Sequence, residues 1–141
     1  VELRKSGKLQ DEELSQEIIG AAIEVHRSLG PGFLESLYEE ALCIELDNLG
    51  IPYERQKTLE IRYRDHKIGE HRLDLLIASK LVVELKAVKE IEPIHFTIVR
   101  SYVKASNATS GIILNFSTMP LTIKRVGMEI PLTSSLSFLS S

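Results

Sequence analysis

RLDLLIASKLVVELKAV, residues 72–88, decides how this chain folds. Two short runs rich in Leu, Ile and Val flank Ala78-Ser79-Lys80, which predicts two antiparallel strands joined by a tight connection. Asp74 stands in the first run, Glu84 and Lys86 in the second. Alternation along a strand sends Glu84 and Lys86 to one face and Val83, Leu85 and Ala87 to the other. Ionisable groups set among aliphatics need partners, because burying an unpaired charge is costly. One reading is a solvated sheet face with Lys86 paired to either carboxylate. The other is a site where carboxylates from neighbouring strands converge, although two such charges ~4 Å apart repel by ~1–4 kcal/mol. Converging oxygen ligands suit Mg²⁺, which takes one or two carboxylates plus water and phosphate oxygens.

Upstream, a helix is expected to start at Asp11, with acidic residues at its positive end. Leu14, Ile18, Ala22, Val25 and Leu29 recur at helical spacing as one buried stripe, and His26 lies beside it as a satisfied or half-exposed side chain. Gly30-Pro31-Gly32 ends this helix. In the second helix Leu34, Leu37, Tyr38, Ala41, Leu42, Leu46 and Leu49 form the apolar face, and Gly50 is the stop. Glu35 shares a side of that helix with Tyr38 and Glu39. It can be a solvent-facing acidic turn, favoured at a helix start.

A strand follows over 53–64, where Leu59, Ile61 and Tyr63 alternate with Glu60, Arg62 and Arg64, a half-buried pattern with a basic-leaning outer face. Asp65-His66 turns into the next strand, which begins near Lys67 and carries Arg72 on the same face as Asp74. Arg72 can neutralise that carboxylate or hold a substrate phosphate bidentately.

Downstream, Pro93 suits the first turn of a helix whose buried side is Ile94, Ile98, Val99, Tyr102 and Val103. The apolar run 111–116 predicts a strand covered on both faces, reached by a right-handed crossover and paired in parallel. Residues 121–126 complete the sheet near an edge. The organisation expected is a flexible segment at 1–10, one domain over 11–130, and a loose Ser-rich tail at 131–141.

Composition narrows the function classes. With 141 residues, 43% hydrophobic and 26% charged, the chain has the makeup of one globular domain. No apolar run approaches the ~20 residues of a membrane span, and no signal-peptide core opens the chain, so a cytoplasmic location without membrane contact is expected. Cys43 is the single cysteine, which excludes an internal disulfide or a Cys-rich zinc site. Phosphate-cradling Gly-rich loops and dinucleotide fingerprints are absent. A net charge of −3 counts mildly against avid nonspecific nucleic-acid binding, although it hides any one-sided distribution of cations.

The hairpin spacing of Asp74, Glu84 and Lys86 resembles the PD-(D/E)xK nuclease superfamily. Gly-x-x-Glu-x-x-Tyr within GFLESLY at 32–38, with Leu114-Asn115-Phe116 downstream, resembles its small bacterial subgroup of GxxExxY proteins. The resemblance runs from about Leu14 to Val126. It implies an α/β fold with a restriction-endonuclease-like αβββαβ core, a central mixed sheet flanked by helices. The order of elements read from periodicity is the same.

The implied activity is divalent-metal-dependent hydrolysis of phosphodiester bonds in DNA or RNA. By resemblance, Asp74, Glu84, the Leu85 carbonyl and Glu35 hold Mg²⁺ or Mn²⁺. The implied catalytic set is Asp74, Glu84, Lys86 and Glu35, with Lys86 orienting water or stabilising transition-state charge. Arg72, Tyr38 and Tyr102 are the expected substrate-binding residues, Tyr38 as core, as a site-wall hydroxyl, or as both. Nucleic acid is the expected partner, and a homodimer would offer a duplex more surface. One position departs from the pattern: Ile98 stands where relatives commonly carry Gln, one turn before Tyr102. That leaves open a catalytically lapsed binding or assembly module.

Overall fold

The computed structural model describes residues 11–127. The expected flexible segment at 1–10 and Ser-rich tail at 131–141 lie outside them. Two helices open the chain, α1 (Asp11–Leu29) and α2 (Glu35–Leu49). A three-stranded meander follows, β1 (Tyr53–Tyr63), β2 (His66–Ile77) and β3 (Leu81–Lys86). Helix α3 (Pro93–Ser106) then leads to β4 (Ser110–Asn115) and β5 (Thr122–Gly127). The strands lie in chain order, antiparallel throughout except for the parallel pair β3–β4 that α3 connects. This is the mixed α/β sheet flanked by helices of a restriction-endonuclease-like fold.

Each face of the sheet carries its own core. On one, Leu14, Ile18, Ala22 and Val25 of α1 and Leu42 and Leu46 of α2 meet Leu75, Val83, Leu85 and Leu114. On the other, Val99 and Val103 of α3 meet Leu59, Leu73, Val82 and Ile113. Helix α3 lies directly on β4, since a Cβ at Gly111 would fall 2.7 Å from Val99 Cγ1. β3 is covered on both sides, and its alternation sends Glu84 and Lys86 to the α3 face with Val82.

Several burial expectations are corrected. Leu34 and Leu37, assigned to the apolar face of α2, are exposed, because the first turn presents its Tyr38 side, not its Leu34 and Leu37 side, to Phe116. Leu29 at the end of the α1 stripe, Ile94 at the start of α3 and Tyr63 at the far end of β1 are exposed as well. The β1–β2 hairpin runs on from Leu73 to the Tyr63–His66 turn without β3 beside it, so its tip has no covering layer. His26 is buried against Phe116 with its Nε2 unpartnered among the described residues, not satisfied as expected.

Candidate active site

The β2–β3 ladder stops where the carboxylates begin. Regular pairing covers Leu75–Val83, Leu76–Val82 and Ile77–Leu81, and one step further would set Asp74 opposite Glu84. There the side chains take over from the backbone. Asp74 N–H donates to Glu84 Oε2 at 2.8 Å, and Leu85 N–H donates to Asp74 Oδ2 at 2.9 Å. Leu73 packs on the α3 side while Leu75 packs on the opposite side, so the alternation of β2 slips by one at Asp74. Gln56, opposite Asp74 on β1, has φ +48°, a left-handed kink that interrupts pairing at the same level.

The electrostatics follow from this packing. Burial pushes the Glu84 carboxyl up to about 8, and the neighbouring Asp74 charge adds to the rise. Burial also raises Asp74, opposed by the Leu85 and Gln56 hydrogen bonds and by Lys86, and reinforced by Glu35. Lys86 is near enough to favour both carboxylates, yet it forms no ion pair among the described residues. Tyr102 on α3 completes this side. Its hydroxyl is raised by burial and then by the charges of Glu84 and Asp74, and its ring meets His71 edge-on at 5.9 Å.

Glu35 approaches from α2. Gly32 (φ +115°) makes the turn before α2 in a conformation open to glycine, which sets Glu35 on the first helical turn. Its Oε2 accepts the Ala87 N–H at 3.1 Å, just past Lys86, and its charge reaches Asp74. Thus Asp74, Glu84, Lys86, Glu35 and Tyr102 are gathered, with Glu35 at the rim. Arg72 makes no ion pair with Asp74 and is exposed, and the slip of β2 at Asp74 breaks the alternation that was expected to put the two on one face. Tyr38 is a correction to the substrate-binding set. It is wholly buried, stacked on Phe116 at 4.4 Å, and its hydroxyl donates to the Gly30 carbonyl and accepts the Phe33 N–H. It fixes the loop that presents Glu35.

Three groups escaped the sequence reading. Glu39 is buried, bound by Arg55 Nε at 3.1 Å and by Gln56 Nε2 at 2.8 Å. Gln56 Nε2 also reaches Asp74 Oδ1 at 3.3 Å, so an α2 carboxylate is tied to the site through β1. The buried Asn115 grips the backbone of Val88, accepting its N–H at 3.1 Å and donating to its carbonyl at 2.8 Å. That clamp fixes the segment that holds Glu35. An uncompensated Glu39 on the buried side of α2 was the available signal for the first two.

A divalent ion fits this donor set in part. Two adjacent carboxylates, both pushed up by burial, are relieved by a cation, and Mg²⁺ needs no more than one or two. The Leu85 carbonyl shares the β2-facing side of β3 with its N–H, since the Lys86 carbonyl is taken by Phe116 N–H on the β4 side. Among the described residues no three His, Cys, Asp or Glu side chains converge as a ready-made metal cluster. The groups that could hold an ion are therefore Asp74, Glu84 and the Leu85 carbonyl, while Glu35 is engaged by Ala87.

This fold and site define a nuclease-like domain. The model of the PD-(D/E)XK nuclease superfamily matches residues 12–126, and the chain belongs to that family. The crystal structure of SSO0001 is similar in fold, with a TM-score of 0.51 and 16% identity over 70% of this chain. The match spans about half of that protein, 52% of its chain. No curated protein matches the sequence. No described helix is long and apolar enough to cross a membrane.

Proposed function

We propose that this chain is a divalent-ion-dependent phosphodiesterase of DNA or RNA, of the GxxExxY kind. The pair Asp74 and Glu84 with Lys86 near both carries the reading, because two adjacent carboxylates that burial and mutual repulsion both disfavour are what a cation relieves. Mg²⁺ or Mn²⁺ held by Asp74, Glu84 and the Leu85 carbonyl would lower the pKa of water and screen phosphate charge. Lys86, without an ion pair among the described residues, orients the attacking water and stabilises charge developing on the phosphorus oxygens. Glu35 takes up a proton through water at the rim. Arg72 is free to grip a flanking phosphate, and Tyr102 lines the opposite wall.

A second reading, a nuclease-like binding module without turnover, draws on two observations. Ile98 occupies the position of the usual Gln, and the Glu35 carboxylate is engaged with Ala87. Cleavage assays separate the two. Pure protein is incubated with labelled single- and double-stranded DNA and RNA, with and without Mn²⁺. Mn²⁺-dependent products that vanish in Glu84→Ala and Lys86→Ala support the enzyme. Products absent, or unchanged in both variants, remove it.

A further inference from the structure

Beside Glu35 lies a cleft of about 520 Å³ lined by Gly32, Phe33, Leu34, Glu35, Ala87 and Ser117. Its volume is typical of small-ligand pockets, which run about 300–1,000 Å³. The walls are unusual for a water-facing surface. Phe33 is 45% exposed and Leu34 73% exposed. Phe33 is also fixed in place: its ring stands edge-on to Tyr38 at 6.1 Å, its N–H is bound by the Tyr38 hydroxyl, and Tyr38 is stacked on buried Phe116. A braced aromatic ring left open to solvent is a prepared stacking surface.

We propose that this cleft seats one unpaired nucleobase, stacked on Phe33, of the strand whose phosphate lies at Asp74 and Glu84. The inference rests on the phosphodiesterase reading and names its substrate class: single strands, or duplex ends that open. Continuity with the site is the first support. Glu35 lines the cleft, is bound to Ala87 in its wall, and sets its charge close enough to act on Asp74, so a base held there belongs to a nucleotide next to the reacting phosphate. Charge is the second. The chain carries −3, and among the described residues that line the cleft only Glu35 is ionisable, so phosphate neutralisation gives little grip there. Stacking supplies about 1–3 kcal/mol per base without regard to sequence. The exposed Ser117 hydroxyl offers a hydrogen bond to a base edge.

The test is binding in a Lys86→Ala background with Mn²⁺ present, read by anisotropy of a fluorescein-labelled oligothymidylate of about twelve nucleotides. Phe33→Ala is expected to weaken single-strand binding roughly 5- to 150-fold, the equivalent of one stacked base. Phe33→Tyr should restore it. A single abasic nucleotide walked along the probe should cost the same at one position, with no added loss in Phe33→Ala. Leu34→Glu, at a position 73% exposed, provides a second variant and should also weaken the single strand. A flat abasic walk, or equal losses on duplex and single strand, overturns the inference. If Mn²⁺-dependent cleavage persists in the protein with Lys86 intact while the walk is flat, only the base cleft fails. If neither binding nor cleavage is seen, the phosphodiesterase reading fails with it. Loss of a dimer in Phe33→Ala without change in binding assigns the face to a second copy and overturns the inference too.

Discussion

Glu84 accepts the backbone N–H of Asp74, and the Asp74 carboxylate in turn accepts the N–H of Leu85, the residue after Glu84. Each acid thus terminates the strand pairing of the other's strand. The exchange keeps two buried backbone donors satisfied while it brings two carboxylates together, so the crossing is stable and electrostatically loaded at once.

That loading should appear in the pH dependence of stability. Glu84 titrates near 4.5 when free and near 8 when folded, so the folded state binds the proton more tightly. Its contribution is full below about pH 4.5 and is lost as pH rises towards about pH 8. Asp74 is raised too and acts in the same direction. Urea denaturation across this window should show falling stability for the native chain. Glu84→Gln, whose amide oxygen can still accept the Asp74 N–H, should flatten the slope and exceed the native chain at pH 8. An unchanged slope in Glu84→Gln contradicts the assignment.

Asn115→Ala should destabilise the fold by about 2–3 kcal/mol, because the Val88 N–H and C=O both lose their buried partner. Since the same segment carries the Ala87 N–H that holds Glu35, activity should fall beyond what unfolding explains. Denaturation midpoints and cleavage rates well below the melting temperature separate the effects.

Arg55→Ala leaves the buried Glu39 carboxylate with Gln56 alone. A loss of about 2–3 kcal/mol is expected, below the largest values for broken buried pairs because Arg55 is partly exposed and also serves Glu40. The double variant Arg55→Ala with Glu39→Gln should recover part of it. Failure to recover any would mean that the Arg55 stem, not the charge, was stabilising.

Tyr38→Phe keeps the ring on Phe116 and removes the bonds to Gly30 and Phe33. About 1–2 kcal/mol of stability should go. With Tyr38 sealed from solvent, KM should stay nearly constant while the rate falls through a loosened Glu35 loop. A large rise in KM with stability intact would mean direct substrate contact.

The hairpin of Asp74, Glu84 and Lys86 was legible because a strand's period of two is local, and the buried run 111–116 and Pro93 fixed the crossover around it. Helix boundaries followed from Asp11, Gly30 and Gly50. What escaped is nonlocal. The Glu39–Gln56–Asp74 chain depends on a positive φ at Gln56, a residue type that does not advertise one. Leu34 and Leu37 fit an apolar stripe by spacing, but spacing does not say which side of the first turn a neighbour covers. Glu35 was placed by resemblance near the carboxylates, yet its bond to Ala87 spans 52 residues of chain, and the Asn115 clamp that holds that segment spans another 27, contacts that no local pattern encodes.

Asp74 and Glu84 are proposed to form one cation site. Calorimetric titration of Mn²⁺ in two buffers of different ionisation enthalpy at about pH 7 tests it most directly. Binding should be measurable, should release close to one proton because Glu84 is protonated until about 8, and should disappear in Asp74→Ala. Binding without proton release, or binding that survives Asp74→Ala, would contradict it.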